Sequence, residues 1–193
     1  MSTLPTKLVL NCRAEYVQGK LRVKYAVANQ GSDDYYVLDT IPTYDPETHE
    51  PRIDPAMAYL CATGEGALLL RGIPPMPEAD VKTRIMPLAA KLPANQTLER
   101  QFDLEPPLRE RNPYYGPVKD EDCEQLKVRT LLLVVQAIRS TVREFVAEPA
   151  PLGPNLFRVR SKNTVGDVET LRCSMNIVST PLLKRRDRFV RIK

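Results

Sequence analysis

The stretch Lys20-Leu-Arg-Val-Lys-Tyr-Ala-Val-Ala-Asn29 decides the fold, because its apolar side chains alternate with polar or small ones. In an extended strand its apolar residues share one face, and Arg22 and Lys24 lie on the other. The turn-forming residues 30–33 follow at once. This pattern is typical of a half-buried strand in an antiparallel sheet that ends in a turn.

Similar patterns recur along the chain and predict about nine strands in all. The further segments are 7–16, 35–39, 56–61, 67–71, 97–104, 126–139 with its continuation after a bend at 141–147, 156–160 and 168–179, of which the last two are expected to form a closing hairpin. Helical spacing occurs at residues 81–88, where Pro87 limits any helix to about two turns. The sequence therefore predicts one all-β domain over residues 1–183, an antiparallel β-sandwich with long proline-rich loops.

The opening of the chain resembles immunoglobulin-like domains in architecture: a leucine-containing strand, a turn, the strand Val23-Lys-Tyr-Ala-Val27, and then Asn29-Gln-Gly31. The resemblance implies an immunoglobulin-like sandwich. The chain has no tryptophan, and its sequence identifies neither a tyrosine corner nor an intersheet disulfide. The resemblance therefore carries no functional residues over to this chain.

Composition places the chain among globular proteins, since 42% of its 193 residues are hydrophobic and 27% are charged. Proline is abundant, with 18 residues, most of them between Pro42 and Pro117. The uncharged apolar run 131–135 is far too short to span a bilayer, so no membrane span is expected. Residues 1–7 lack the pattern of a signal peptide. A cytoplasmic location is expected, or a periplasmic one if a leader preceded this sequence.

The four cysteines, Cys12, Cys61, Cys123 and Cys173, lie far apart and form no Cys-x-x-Cys pair. They are predicted to be free thiols, because a chain of this length does not need disulfides to build a core. Cys12 and Cys173 lie on the apolar faces of their strands and are expected to be buried and reduced. Cys123 lies in an acidic run and is expected to be exposed.

Catalytic and cofactor-binding motifs are absent from the sequence, and neither a cofactor nor a metal is predicted. The single histidine, His49, is expected to be exposed on a loop. Two alternatives remain open. Asp45, Glu47, His49 and Glu50 could gather around a divalent ion, and a pair of carboxylates could support a hydrolase or a sugar-binding protein.

Tyrosines in or beside the proline-rich loops are typical of two arrangements, a recognition surface or a ring that covers one end of the sandwich. The predicted partner-binding residues are Tyr44, Arg111, Tyr114 and Tyr115. We therefore expect a non-enzymatic interaction module for an unidentified protein partner.

A basic C-terminal segment offers a second alternative, an anion-binding module acting through residues 184–193. The segment is otherwise interpreted as a solubilising tail or a last edge strand. Its net charge is +5 against +4 for the whole chain, so the rest of the chain is near neutral. Nucleic-acid binding is not expected of such a body.

The strand predicted at 126–139 is apolar on both faces over half its length. Its even-numbered positions are predicted to face the core. Leu131, Leu133 and Val135 would then lie on the opposite face and need a second cover. A proline-rich loop is the expected cover. A homodimer through these three residues, or a buried helix in place of the strand, is the alternative.

Overall fold

The computed structural model of the chain describes residues 7–45, 47–64, 66–76, 84–115 and 119–186. The strands are β1 (Leu8–Val17), β2 (Lys20–Asn29), β3 (Tyr35–Thr40), β4 (Pro42–Tyr44), β5 (Pro51–Ile53), β6 (Tyr59–Thr63), β7 (Gly66–Arg71), β8 (Leu88–Leu92), β9 (Thr97–Leu104), β10 (Leu108–Arg109), β11 (Cys123–Arg139), β12 (Val146–Pro149), β13 (Leu156–Arg160) and β14 (Val168–Arg185). A short 3-10 helix, Asp120–Asp122, precedes β11. No helix in the described ranges is long and apolar enough to cross a membrane.

Two sheets carry the fold, which confirms the prediction of an all-β, sandwich-like protein. The smaller sheet has three strands in the order β1-β2-β9, and the larger has nine. The main path of the larger sheet runs β10-β14-β11-β3-β8-β13-β12, with β7 paired to β11 and β6 to β7. Strands β4 and β5 form a separate hairpin.

The alternation that predicts β2 also explains why the two sheets pack together. Its burial alternates along the whole strand, so every second side chain enters the core. The main core cluster joins apolar residues of the smaller sheet to those of β11 and β14. Fully buried members from the two sheets include Leu21, Val23, Val27, Leu131, Leu133 and Val135.

A disulfide between Cys12 of β1 and Cys173 of β14 links the two sheets. The prediction that these two cysteines are reduced was wrong. They lie on the inner faces of their strands, as predicted, but they are half-buried rather than buried. Those faces meet, so the two Cα atoms come within 6.1 Å of each other. Cys61 and Cys123 are free thiols. Cys123 is buried, not exposed as predicted.

Strand β11 is covered on both faces, but its faces are the reverse of the prediction beyond residue 130. Val128 pairs with Thr180 of β14, whereas Thr130 pairs with Asn176, so the register shifts between them. Such an irregularity changes which side chains face the core. Val128 is therefore in the main core, and so are the odd-numbered apolar residues from 131 onward.

The cover over Leu131, Leu133 and Val135 is the three-stranded sheet of the same chain, not a loop. All three side chains are fully buried, so they offer no surface to a second subunit. The opposite face of β11 carries Ile138, which packs in a second cluster. Irregular segments contribute Ile73, Met86 and Phe145 to that cluster, so loops cover this face.

The larger sheet is mixed, not purely antiparallel as predicted. Strand β7 pairs with β11 in parallel, and β10 pairs with β14 in parallel. The predicted closing hairpin is also wrong, because β13 pairs with β8 and β12, whereas β14 pairs with β11. Apart from the β12–β13 hairpin, these pairings join segments far apart in sequence, so local patterns do not reveal them.

Removing the disulfide tests the covalent link. We expect Cys12→Ser to lower the free energy of unfolding by about 2–5 kcal/mol, because the unfolded chain is then no longer cross-linked. Urea denaturation measures the difference. Cys61→Ser is the matched control, with an expected change within about 1 kcal/mol. Equal midpoints for Cys12→Ser and the wild type would contradict the structural role of the disulfide.

Leu133→Lys tests the intramolecular cover of β11. Because the new ammonium group would be buried in the core, we expect a loss of about 4 kcal/mol or more of stability, measured by denaturation. Val178→Lys introduces the same charge on β14 at a side chain that is 72% exposed, and it should cost less than about 0.5 kcal/mol. A folded Leu133→Lys monomer derived from a wild-type dimer in sedimentation would instead place a subunit interface on this strand.

Candidate functional site

Two strand ends meet beside β11 and place charged residues in the interior. Strand β3 is antiparallel to β11 and β7 is parallel to it, so the two run toward each other along one edge of β11. Arg71, the last residue of β7, pairs with Val135 of β11. Asp39 lies at the facing end of β3 and is fully buried.

The Arg71 side chain donates hydrogen bonds to two backbone carbonyls, one in β3 and one in the loop after β5. Its Nε and Nη2 atoms donate to the carbonyl oxygen of Asp39 at 2.8 and 2.5 Å, and its Nη1 donates to that of Pro55 at 2.7 Å. The guanidinium also lies 4.7 Å from the centre of the Phe102 ring. Arg71 is only 4% exposed, so these contacts replace nearly all of its hydration.

Asp39 receives three hydrogen bonds at its side-chain carboxylate. Tyr25 Oη and Arg100 Nε donate to Oδ2 at 2.8 and 3.0 Å, and Thr40 Oγ1 donates to Oδ1 at 3.2 Å. Tyr25 and Arg100 belong to the smaller sheet, so Asp39 joins the two sheets. Burial, and then the nearby Asp39 charge, raise the pKa of Tyr25 well above its usual value.

We call these five residues, Tyr25, Asp39, Thr40, Arg71 and Arg100, the Asp39 cluster. It holds two guanidinium cations and one carboxylate, so it carries one positive charge in excess. A buried or half-buried excess charge is unfavourable unless an anion approaches it.

A pocket of about 270 Å³ opens onto the Asp39 cluster, and we call it the arginine pocket. Its lining contains both guanidinium groups and an apolar wall from two proline-containing loops, and it has no acidic side chain among the described residues. The lining residues are Thr40, Ile53, Pro55, Arg71, Arg100, Gln101, Leu152, Gly153, Pro154 and Leu156. The arrangement can bind a small anionic group that carries an apolar portion.

A larger and more open depression, of about 430 Å³, crosses the three strands of the smaller sheet. Arg13, Lys24 and Arg100 contribute positive charge, and Glu99 is its one acidic lining residue. Arg100 lines both depressions. Lys24 is already paired with Glu15 at 2.9 Å. Neither depression brings two carboxylates face to face, which the hydrolase alternative would need.

Two of the predicted partner-binding residues lie close to the arginine pocket. Tyr44 ends strand β4, whose partner β5 ends at the pocket residue Ile53, and its side chain is 63% exposed. Arg111 forms an ion pair with Asp54 at 3.6 Å, and its backbone pairs with Leu60. Asp54 lies between two pocket residues in sequence, so Arg111 is tied to the pocket wall.

The other two predicted residues face different neighbours. Tyr114 Oη accepts a hydrogen bond from the backbone of Ile85 at 2.9 Å. The ring of Tyr115 packs under the guanidinium of Arg185 at 5.2 Å. In the described part of the chain, no hydrogen bond or ion pair joins Tyr44 to Arg111, Tyr114 or Tyr115, so the four do not form one cluster.

The loop around His49 is exposed, as predicted. Asp45 Oδ1 accepts hydrogen bonds from the backbone of Glu47 and Thr48, which closes a turn within the loop and lowers the pKa of Asp45. Among the described residues, no group of three or more histidine, cysteine, aspartate or glutamate side chains could hold a metal ion.

The predicted basic segment begins inside β14. Lys184 pairs with Glu124 of β11 at 3.3 Å, and Arg185 is the last residue of the strand. Residues 187–193 lie outside the described residues, so the anion-binding alternative for this segment stays a prediction.

Sequence patterns did not reveal the Asp39 cluster, although a weak signal exists. Asp39 and Arg71 each follow an apolar run, Tyr35-Tyr-Val-Leu38 and Ala67-Leu-Leu-Leu70. A charge at the end of an apolar strand is usually solvated, and here it is buried. Only the meeting of β3 and β7 at Val135 explains the difference.

No protein-family model, curated protein or solved structure matches this chain.

Replacing Tyr25 tests the electrostatics of the cluster. The raised pKa keeps Tyr25 protonated in the folded protein above about pH 10, whereas the same tyrosine ionises in the unfolded chain. The free energy of unfolding of the wild type should therefore fall as the pH rises above about 10, by up to about 1.4 kcal/mol per pH unit. Tyr25→Phe should lack this part of the alkaline loss, although it is less stable at neutral pH. Urea midpoints measured from about pH 8 to pH 11 give the comparison.

Tyr44→Phe is the matched control, because that side chain is exposed. It should follow the wild type at every pH. Parallel curves for Tyr25→Phe and the wild type would show that Tyr25 does not stay protonated in the fold.

Proposed function

We propose that this protein is a non-enzymatic binding module that recognises a protein partner with the proline-containing loops around the arginine pocket. The observation that carries the proposal is the pocket itself. Segments 53–55 and 152–156 form its walls, and charged side chains held between two sheets form its floor. Loops fixed on a rigid scaffold are common positions for binding residues.

Tyr44 extends this surface beyond the pocket. Its hairpin starts at the pocket wall, where Pro42 pairs with Ile53, and Tyr44 pairs with Pro51 farther along. An exposed tyrosine offers a large contact area at a low entropic cost. The Arg111–Asp54 ion pair adds a charged group beside the same wall.

Immunoglobulin-like sandwiches bind their partners through loops at one end. The binding surface proposed for this protein is likewise built from loops, which supports the proposal. The finer assignment to that class of fold stays a prediction, because those domains have seven to nine strands in all, and here the larger sheet alone has nine.

We also infer that the protein works in an oxidising compartment. The Cys12–Cys173 disulfide supports this location over the expected cytoplasmic one, because disulfides form and persist where thiols are not kept reduced.

Capture from a native lysate of the source organism tests the binding role. The immobilised full chain should retain one stoichiometric protein at low salt, and Tyr44→Ala should retain several-fold less of it at an unchanged melting temperature. Val165→Ala is the control, because Val165 is 51% exposed and does not line the pocket. Recovery of no protein, or equal recovery by Tyr44→Ala, would contradict the proposal.

A further inference from the structure

We propose that the arginine pocket binds the C-terminal carboxylate of a partner polypeptide together with its last, apolar side chain. This inference rests on the proposed binding function and names the chemistry of its ligand. Three properties of the pocket support it: its charge, its available hydrogen-bond donors and its shape.

The charge of the pocket favours a single negative charge. Arg100 pairs with one carboxylate, that of Asp39, whereas Arg71 donates only to backbone carbonyls, and the described lining itself has no acid. One carboxylate from outside would therefore make the site neutral. A doubly charged phosphate would instead leave the site with a net negative charge.

Hydrogen-bond donors remain available at the floor of the pocket. Arg100 donates through Nε to Asp39 and through Nη1 to the backbone of Glu99, and its Nη2 has no partner among the described residues. The Arg100 side chain is 32% exposed, so a ligand can reach it. Arg71 uses three of its five N–H groups for backbone carbonyls. Guanidinium groups are well suited to bind a carboxylate.

The size and the apolar walls of the pocket determine which side chain can accompany that carboxylate. A volume of about 270 Å³ lies just below the range of about 300–1,000 Å³ that suits drug-sized ligands. The pocket therefore has room for one residue rather than an extended segment. Its apolar wall includes Ile53, Leu152 and Leu156, which favour a leucine-like side chain over a polar one.

A C-terminal apolar residue meets these three requirements together, because its carboxylate and its apolar side chain branch from the same Cα atom. An aspartate or glutamate side chain brings the charge with little apolar surface. Capture of a C-terminal carboxylate is also a recurring way in which proteins recognise peptides.

Peptide titration of the full chain tests this assignment. The probe is a short acetylated alanine peptide that ends in leucine with a free carboxylate, and the matched peptide ends in leucine amide. Isothermal titration should show binding of the acid at least about tenfold tighter than of the amide, because the charged hydrogen bond is lost. Equal affinities, or no binding of the acid, would overturn the proposal.

Two further probes distinguish the source of the anion. Inorganic phosphate should bind at least about tenfold more weakly than the peptide acid, and so should an amidated peptide that ends in glutamate. If phosphate binds as tightly, the pocket is a general anion site. If the glutamate peptide does, the ligand is an acidic side chain. Either result contradicts the C-terminal assignment.

Variants assign the binding to the pocket. Arg100→Gln should weaken binding of the acid by about tenfold or more and leave the amide unchanged. Arg172→Gln, which removes an exposed arginine on β14, is the matched control and should bind like the wild type. Unchanged binding by a folded Arg100→Gln variant would overturn the proposal.

Leu152→Glu gives a second test that does not disturb Asp39. It places an acid in the pocket wall on a partly exposed loop, so it should fold and lose binding of the peptide acid by about tenfold or more. Unaltered binding by this variant would contradict the pocket assignment.

The lysate capture separates this inference from the proposed function. If no peptide acid binds but the chain still retains a partner through Tyr44, the C-terminal assignment is wrong and the binding function stands. If neither experiment shows binding, both are wrong.

Discussion

A single row of the smaller sheet ties the two sheets together. Cys12, Tyr25 and Arg100 are neighbours in register on β1, β2 and β9. Cys12 is bonded to β14, and Tyr25 and Arg100 both donate to Asp39 of β3. Hydrophobic burial holds the sheets together but has no direction, so it does not fix how one lies on the other. The contacts of this row are directional, and they set the position of the sheets that forms the pocket.

The positive charge of the pocket follows from the way the larger sheet is interrupted. Because β3 and β7 meet end to end beside β11, the carbonyl oxygen of Asp39 needs a donor from outside a strand, and Arg71 supplies it. The Asp39 carboxylate then faces the smaller sheet, where Arg100 binds it. The backbone uses one guanidinium and the carboxylate uses the other, so one cation stays without an anion. Both guanidinium groups have structural partners, and the positive charge that these partners leave uncompensated is what supports a ligand site.

The sequence was sufficient for the long strands, but it missed the short strands β4, β5, β8 and β10, and it did not reveal the strand partners. Alternation located β2 to the residue, and it located β11 and β14 within a few residues, because each strand buries one face. It failed for the faces of β11, since the register shift between Val128 and Thr130 depends on β14, which is far away in sequence. The disulfide and the Asp39 cluster were missed for the same reason. The cysteines lie 161 residues apart, and no local pattern shows that their faces meet.

The same geometry engages both oxygens of the Asp39 carboxylate. A general base needs an acceptor that is free to take a proton from a substrate. Asp39 is fully buried, and its two side-chain oxygens already accept three hydrogen bonds. Thr40 donates its hydroxyl to that carboxylate, and although it is buried, it lines the pocket together with the two arginines. Arg100 Nη2 keeps its donors available at the pocket. The described lining therefore offers cationic donors to an anion, and both oxygens of Asp39 already serve as acceptors within the fold.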